Sequence, residues 1–420
     1  MQKFLRDNFL ILILMNFNSF LTYALQIYVS RLLDAGDFGA FNALNAFVTI
    51  CSAPLAVVPL LYTRYTVKYE KGNLGVIKRF LSGGIKTVIV IYAIILLAGI
   101  LGAAQLKDYF HLNSTLPMFI VLAQLLVVWL YPMFQGVMQG LRRYAAYGMS
   151  NNGAMLASIL GVGLLVHLLD WGINGALLAG LIGSAVLLAV SLWFVKDVLS
   201  AAAVVSPEQP KTILRYAIPV TVANIFYSFL GNLDIILVRH YCAAEDAGLY
   251  VTASILAKTA VFLPGVLKIV LFPEAARMQD AGEGQRHHLL WISMGLTALL
   301  SGVIALVFFL WPQELLGLFF GSRYEGADEM LRVLSAAMAL LGITNVIFTY
   351  RTARSEFSFL WPLSIGAILM IVQTHFYHAD ALEVAKIVLS SISLIFVICL
   401  LMEWWGRQQS LRLDTLSMTV

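Results

Sequence analysis

Twelve stretches of this chain are long and apolar enough to cross a bilayer, and that feature restricts the fold before any motif is considered. A hydrocarbon core ~30 Å thick is crossed by about 20 residues of helix. The stretches are Phe9–Ser30, Phe38–Tyr62, Gly84–Ala104, Pro117–Gln139, Asn151–Leu169, Asn174–Val195, Ile213–Val238, Gly248–Phe272, Leu289–Leu310, Met330–Thr349, Ser358–Phe376 and Lys386–Met402. Composition agrees. Of 420 residues 60% are hydrophobic and 12% charged, at a mean hydropathy of +0.85, against about 45–50% apolar and 25% charged in soluble chains. The expectation is an all-α polytopic membrane protein with about twelve transmembrane helices.

Charge placement orients the spans. With a cytoplasmic N-terminus, nineteen of the 27 Lys and Arg residues fall inside or at inner span ends and six fall outside. The remaining two, Lys258 and Lys268, lie within one span. The positive-inside rule therefore puts both termini in the cytoplasm. Lys3 and Arg6 precede an apolar run as in a signal peptide, but Asn16, Asn18 and Gln26 interrupt that run and no small-residue cleavage site follows. It reads as the first span. Cys51, Cys242 and Cys399 are odd in number and far apart, which points to packing rather than to a disulfide or metal framework.

A short acidic turn occurs twice, in RLLDAGDFGAFNAL (Arg31–Leu44) and in HYCAAEDAGLYVTA (His240–Ala253). An offset of 209 pairs Asp37 with Asp246, Gly39 with Gly248 and Phe41 with Tyr250. Each copy joins an outward span to an inward one, so the repeat is parallel and predicts two six-helix lobes related by an axis along the membrane normal. The Pro-containing segment KDVLSAAAVVSPEQPKT divides them. The expected organisation is an N-terminal lobe over 1–200, a cytoplasmic linker over 201–212, a C-terminal lobe over 213–403 and a cytoplasmic tail over 404–420. Pro54 and Pro264 fall within one residue of the same offset, and each removes an intrahelical hydrogen bond, so they are the expected hinges.

SRLLDAGDFGAFNAL in the first half, with GNLDIILVRHYCAAEDAGLYVTAS and LFPEAARM in the second, resembles the polysaccharide flippase branch of the multidrug/oligosaccharidyl-lipid/polysaccharide exporter superfamily. The resemblance implies two V-shaped helix bundles around a cavity that opens alternately to each side, in a bacterial cytoplasmic membrane. The implied cargo is a polyprenyl-pyrophosphate-linked oligosaccharide, carried from the cytoplasmic to the outer leaflet for surface polysaccharide synthesis. It implies no enzyme activity, no cofactor and no nucleic acid. The implied partners are membrane lipid, a coupling ion (H+ or Na+) and polysaccharide polymerase machinery.

Ionisable groups within spans are costly unless they face a cavity or a counter-charge. Lys258 is the deepest, about ten residues into its span, or ~15 Å at 1.5 Å per residue. It reads either as a cavity-lining cation or as a lysine that snorkels or pairs with Asp234. Arg64, Lys86 and Lys268 lie nearer span ends, where snorkelling competes with a substrate role. Asn42, Asn45 and Asn224 are candidates for sugar hydroxyls, although amides in membranes often satisfy one another across helix contacts. Gly136 and Gly140 read as a packing surface. Asp234 is the one acidic residue within the twelve stretches. The scarcity of carboxylates weakens a cation exporter, and the cationic edge favours an anion, whose phosphate oxygens Arg can fork.

Three alternatives remain: a multidrug or small-molecule exporter of the same superfamily, a lipid II flippase, and a membrane polysaccharide polymerase. The polymerase reading leaves the repeat unexplained and lacks a large outer loop. No Walker loop, H-E-x-x-H or G-x-S-x-G is present. His375 and His378 have helical spacing without a converging carboxylate pair, so they read as interfacial polar residues. The topology has a direct test, in a background from which the three native cysteines have been removed. Single cysteines at Asn73, Ala281 and Gln408 should resist an impermeant thiol reagent in intact cells, and one at Gly321 should react. Labelling of the first three contradicts the orientation.

Overall fold

A computed structural model of the chain describes residues 2–69, 74–204, 211–262, 283–354 and 356–417. Among them the regular structure is helical. Hydrocarbon offers no partner to a free N–H or C=O, so a spanning segment must close its hydrogen bonds within itself. The chain is a polytopic all-α membrane protein. Among the described residues nine helices are long and apolar enough to cross a membrane.

The helices are α1 (Gln2–Leu32), α2 (Ala35–Ser52), α3 (Val58–Tyr69), α4 (Leu74–Leu101), α5 (Ala103–Tyr109), α6 (Leu116–Gly140), α7 (Tyr144–Val162), α8 (Gly172–Phe194) and α9 (Lys196–Ser200). They continue as α10 (Lys211–Tyr241), α11 (Ala244–Ala257), α12 (Thr259–Phe262), α13 (Glu283–Leu310), α14 (Pro312–Phe320), α15 (Asp328–Ala353), α16 (Leu360–Phe376) and α17 (Ala381–Ser417). The expected stretch Phe9–Ser30 lies in α1, and Ser358–Phe376 corresponds to α16, a shorter apolar helix of 17 residues. Gly248–Phe272 begins in α11, and its part beyond 262 lies outside the described residues.

The duplication is visible helix by helix. From α1 to α10 the bounds move from 2 to 211 and from 32 to 241, a shift of 209 at both ends. The same shift carries α4, 74 to 101, onto α13, 283 to 310. It also carries the start of α2, at 35, onto that of α11, at 244. The repeated acidic motif is thus a helix start. Asp34 caps α2 by accepting the Asp37 N–H at 2.7 Å, and Asp37 in one copy and Glu245 and Asp246 in the other put negative charge at a helix N-terminus, where the dipole favours it. Gly39 and Phe41, like Gly248 and Tyr250, are buried one turn further in. The motif sets where the helix enters the membrane and turns its aromatic inward.

The chain forms two compact units, Met1–Ile225 and Phe226–Val420, and α10 runs through their junction. In the first, α6 lies against α3 so closely that a Cβ on Gly136 would stand 2.5 Å from the Pro59 carbonyl oxygen, and one on Gly140 2.5 Å from Thr66 Cβ. The two glycines therefore form the packing surface that their spacing announced. Apolar side chains such as Leu101, Leu160, Leu299 and Phe309 are exposed on the spanning helices, as a lipid-facing surface requires. Of the expected linker, 205–210 lies outside the described residues. Its start is tied to α4: the Val204 N–H donates to Gly75 O at 3.1 Å and Lys78 Nζ donates to Ala201 O at 2.8 Å.

Each unit also carries an ion pair that ties two of its helical segments. In the first, Arg143, which follows α6, donates to both Asp197 oxygens and to the Phe194 carbonyl. In the second, Arg351 of α15 pairs with Glu403 of α17 and donates to Ser358. Hydrogen bonds from Arg143 hold the Asp197 carboxyl below the usual carboxylate range. A depressed acid stabilises the fold above its ordinary pKa, and that contribution disappears as pH falls through the folded-state value. Asp197→Asn should therefore melt below the parent, modestly because the pair is partly exposed. The gap should stay constant from neutral pH to about pH 5 and close only in more acid solution. A gap that closes already near neutral pH would exclude this pair as its source.

Candidate functional site

In the second unit, α10 and α11 form an antiparallel pair turning at Cys242 and Ala243. Asp234 and Tyr250 each stand eight residues from Cys242, so the turn places them opposite one another. Tyr250 donates its hydroxyl to Asp234 Oδ2 at 2.9 Å. Both side chains are wholly buried. The other carboxylate oxygen, Oδ1, is buried and accepts no hydrogen bond among the described residues.

Lys258 lies two turns deeper, in the break between α11 and α12. Its stem reaches back toward the turn, and Nζ donates to Asn232 Oδ1 at 3.4 Å. Asn232 is fixed in turn by its amide, which donates to Ser228 O at 3.1 Å. Lys258 as a residue is half-buried. A carboxylate–phenol pair and an ammonium–amide pair thus each join α10 to the segment that follows it.

Arg64 on α3 and Lys86 on α4 are exposed and belong to the first unit. Asn42 is buried, whereas Asn45 and Asn224 are half-buried. All three return their amide donors to their own helices, Asn42 to Phe38 O at 3.1 Å, Asn45 to Phe41 O at 2.9 Å and Asn224 to Val220 O at 2.8 Å. Lys268 and Pro264 lie outside the described residues. Pro54 is exposed in a 3-10 turn, Ala53–Val57, that separates α2 from α3.

Packing brings together two further polar groups. In the first unit, Asn151 donates to Tyr131 OH at 2.6 Å and Gln135 to Tyr147 OH at 3.3 Å, so amides and phenols form a ladder along α6 and α7. Their spacing carries no motif. Near the turn between α10 and α11, Tyr241 OH shares a hydrogen bond with His375 Nδ1 at 3.0 Å, and its ring stacks on His378 at 4.3 Å. Burial, together with the nearby carboxylates of Asp246 and Asp380, pushes the Cys242 thiol up to about 11, which keeps it protonated at neutral pH.

This architecture has close counterparts among solved transporters. An inward-facing multidrug resistance MATE family transporter of the MOP superfamily superposes with a TM-score of 0.77, at 12% identity over 95% of this chain and 96% of that one. The lipid II flippase MurJ in an inward closed conformation gives 0.69, at 13% identity over 93% and 87%. A MOP superfamily transporter from Pyrococcus furiosus, described as having a binding pocket of reverse polarity, gives 0.64, at 14% identity over 96% and 94%. Identities this low establish a shared fold and leave substrate open. No curated protein is a significant sequence match. The family model for polysaccharide biosynthesis proteins matches residues 28–329, more than half of the chain, and the protein belongs to that family. The resemblance read from the repeated motif is borne out.

Proposed function

We propose that the protein is a flippase that carries a polyprenyl-pyrophosphate-linked oligosaccharide from the cytoplasmic to the outer leaflet of a bacterial cytoplasmic membrane. The observation that carries this reading is Lys258, a half-buried ammonium held by an amide deep in a spanning helix pair of a polysaccharide biosynthesis protein. A diphosphate is the polar part of such a substrate that most needs a cation, and charge-assisted hydrogen bonds to phosphate are among the strongest available in a dry site. The two lobes alternate in access, with Pro54 and Pro264 as bends, coupled to H+ or Na+ and feeding a polymerase on the outer side. Arg64, Lys86 and Lys268 bind the anion on its way or meet lipid headgroups, and Asn42, Asn45 and Asn224 offer amide oxygens to sugar hydroxyls. The protein has no catalytic residue in this reading.

Asp234 supports a second reading, export of a cationic small molecule, because a buried carboxylate is what such a substrate would seek. The Lys258 ammonium, which donates to Asn232, argues the other way. Substitution of Lys258 separates the two. In a host lacking the chromosomal copy, Lys258→Ala should reach the membrane at parental abundance and fail to restore surface polysaccharide, whereas Lys258→Arg should restore part of it. Full restoration by Lys258→Ala would remove the ammonium from the transport path.

A further inference from the structure

We infer that α14, the short helix after α13, lies along the membrane surface with Trp311, Leu315 and Leu318 in lipid, so that the second unit carries a bilayer-docking foot. Such a foot is independent of what the protein carries. With about 3.6 residues per turn, α14 divides into three faces. Pro312, Leu316 and Phe320 are buried in the unit, and Gln313 and Glu314 are exposed and polar. Trp311 at its start, Leu315 and Leu318 recur at i, i+4 and i+7 on the third side. Leu318 is 67% exposed and Trp311 51%. A helix on a water-facing surface needs only the first two faces.

The helix is tied down at both ends. Gln313 donates Nε2 to Asp328 Oδ2 at 3.4 Å, which brings its first turn level with the start of α15. Arg332, one turn along α15, lies 3.7 Å from the Asp328 carboxylate and donates Nε to Phe309 O at 3.2 Å, with its guanidinium 5.8 Å from the Phe309 ring. Charged groups thus stand level with the end of α13, where the apolar run stops, and that marks the headgroup zone. Beyond α14 the chain turns at Gly321, whose φ of 95° suits glycine. The 3-10 turn that follows, Ser322–Ala327, comes back against α11, and a Cβ on Gly326 would lie 3.8 Å from the Leu249 side chain. The excursion therefore folds back onto the unit.

Continuity identifies lipid as the occupant of the third face. Leu296, Leu299, Val303, Leu306 and Leu310 are exposed along one side of α13, the lipid-facing side of a spanning helix, and Trp311 extends that row into α14. An indole has an apolar ring and a polar N–H, which suits it to the membrane–water boundary. Covering Leu318 with the same lipid requires only that the helix lie in the plane of the membrane. The internal repeat supplies a contrast. α5 starts at 103 and α14 at 312, again 209 apart, but α5 exposes Ala104, Gln105 and Asp108. Both units place a short helix here, and only the second gives it an apolar outer face.

The test uses purified full-length protein in phosphatidylcholine vesicles, with the fluorophore NBD on single cysteines in a background free of native cysteine. Two quenchers are compared, iodide on both sides of the membrane and a phosphatidylcholine with a nitroxide high on its acyl chain. NBD at Leu318→Cys should lose fluorescence to the nitroxide lipid and be protected from iodide, and at Glu314→Cys the order should reverse. NBD at Gln105→Cys on α5 should behave as at Glu314→Cys. Leu318 is exposed, so replacing it removes little packing, and Trp311→Cys gives a second reading that should follow Leu318→Cys. Iodide quenching at Leu318→Cys as strong as at Glu314→Cys would put this face in water and overturn the inference. Protection of Leu318→Cys and Trp311→Cys from both quenchers would mean that a second copy of the chain covers the face, and would overturn it as well.

Discussion

Everything in this molecule follows from the absence of water around most of its backbone. A chain with 60% hydrophobic residues can satisfy its N–H and C=O groups in hydrocarbon only by closing them into helices. Once the helices exist they gain little from hydrophobic burial against one another, since lipid is as apolar as their own side chains. Close approach at small residues must do that work. Gly136 and Gly140 show how: the α6 backbone comes near enough to α3 that any side chain at either position would collide with it. The few charged residues at helix ends then tie neighbouring segments, Arg143 to Asp197 and Arg351 to Glu403.

Duplication gives this scaffold two copies of the same helix order, and the difference between the copies is as informative as their likeness. Shared features are those the membrane demands: acidic first turns, a buried Gly and aromatic one turn in, and a helix break further along. Features confined to one copy are free to serve a substrate. Asp234, Tyr250 and Lys258 belong to that second class, and so does the amide and phenol ladder of Tyr131, Gln135, Tyr147 and Asn151 in the first unit.

The fold was legible because its signals are long and cooperative. Runs of about 20 apolar residues and a repeat with constant offset survive any local ambiguity, and the helices of the two halves shift by the same 209 residues. The site was legible only in part. Lys258 stands out as a cation in an apolar run, and Asp234 as the one acid, but spacing did not announce that Lys258 donates to Asn232. Counting outward from Cys242 would have paired Asp234 with Tyr250, because a tight antiparallel turn fixes which residues face each other. The ladder of α6 and α7 could not have been found this way, since Asn, Gln and Tyr recur throughout the spans and only packing decides which of them touch. The same holds for Asn42, Asn45 and Asn224, whose donors go to their own helices.

The central claim is that this chain moves a lipid-linked glycan across the membrane. It is tested most directly by where that glycan stops when the protein is missing. Lipid-linked sugars in the deletion host can be probed with an impermeant oxidant, in intact spheroplasts and in inside-out vesicles. Transport by this protein predicts single repeat units that accumulate and are attacked only in inside-out vesicles, hence still on the cytoplasmic leaflet. Accumulation of single units attacked in intact spheroplasts would mean that translocation proceeds without it, and would contradict the account.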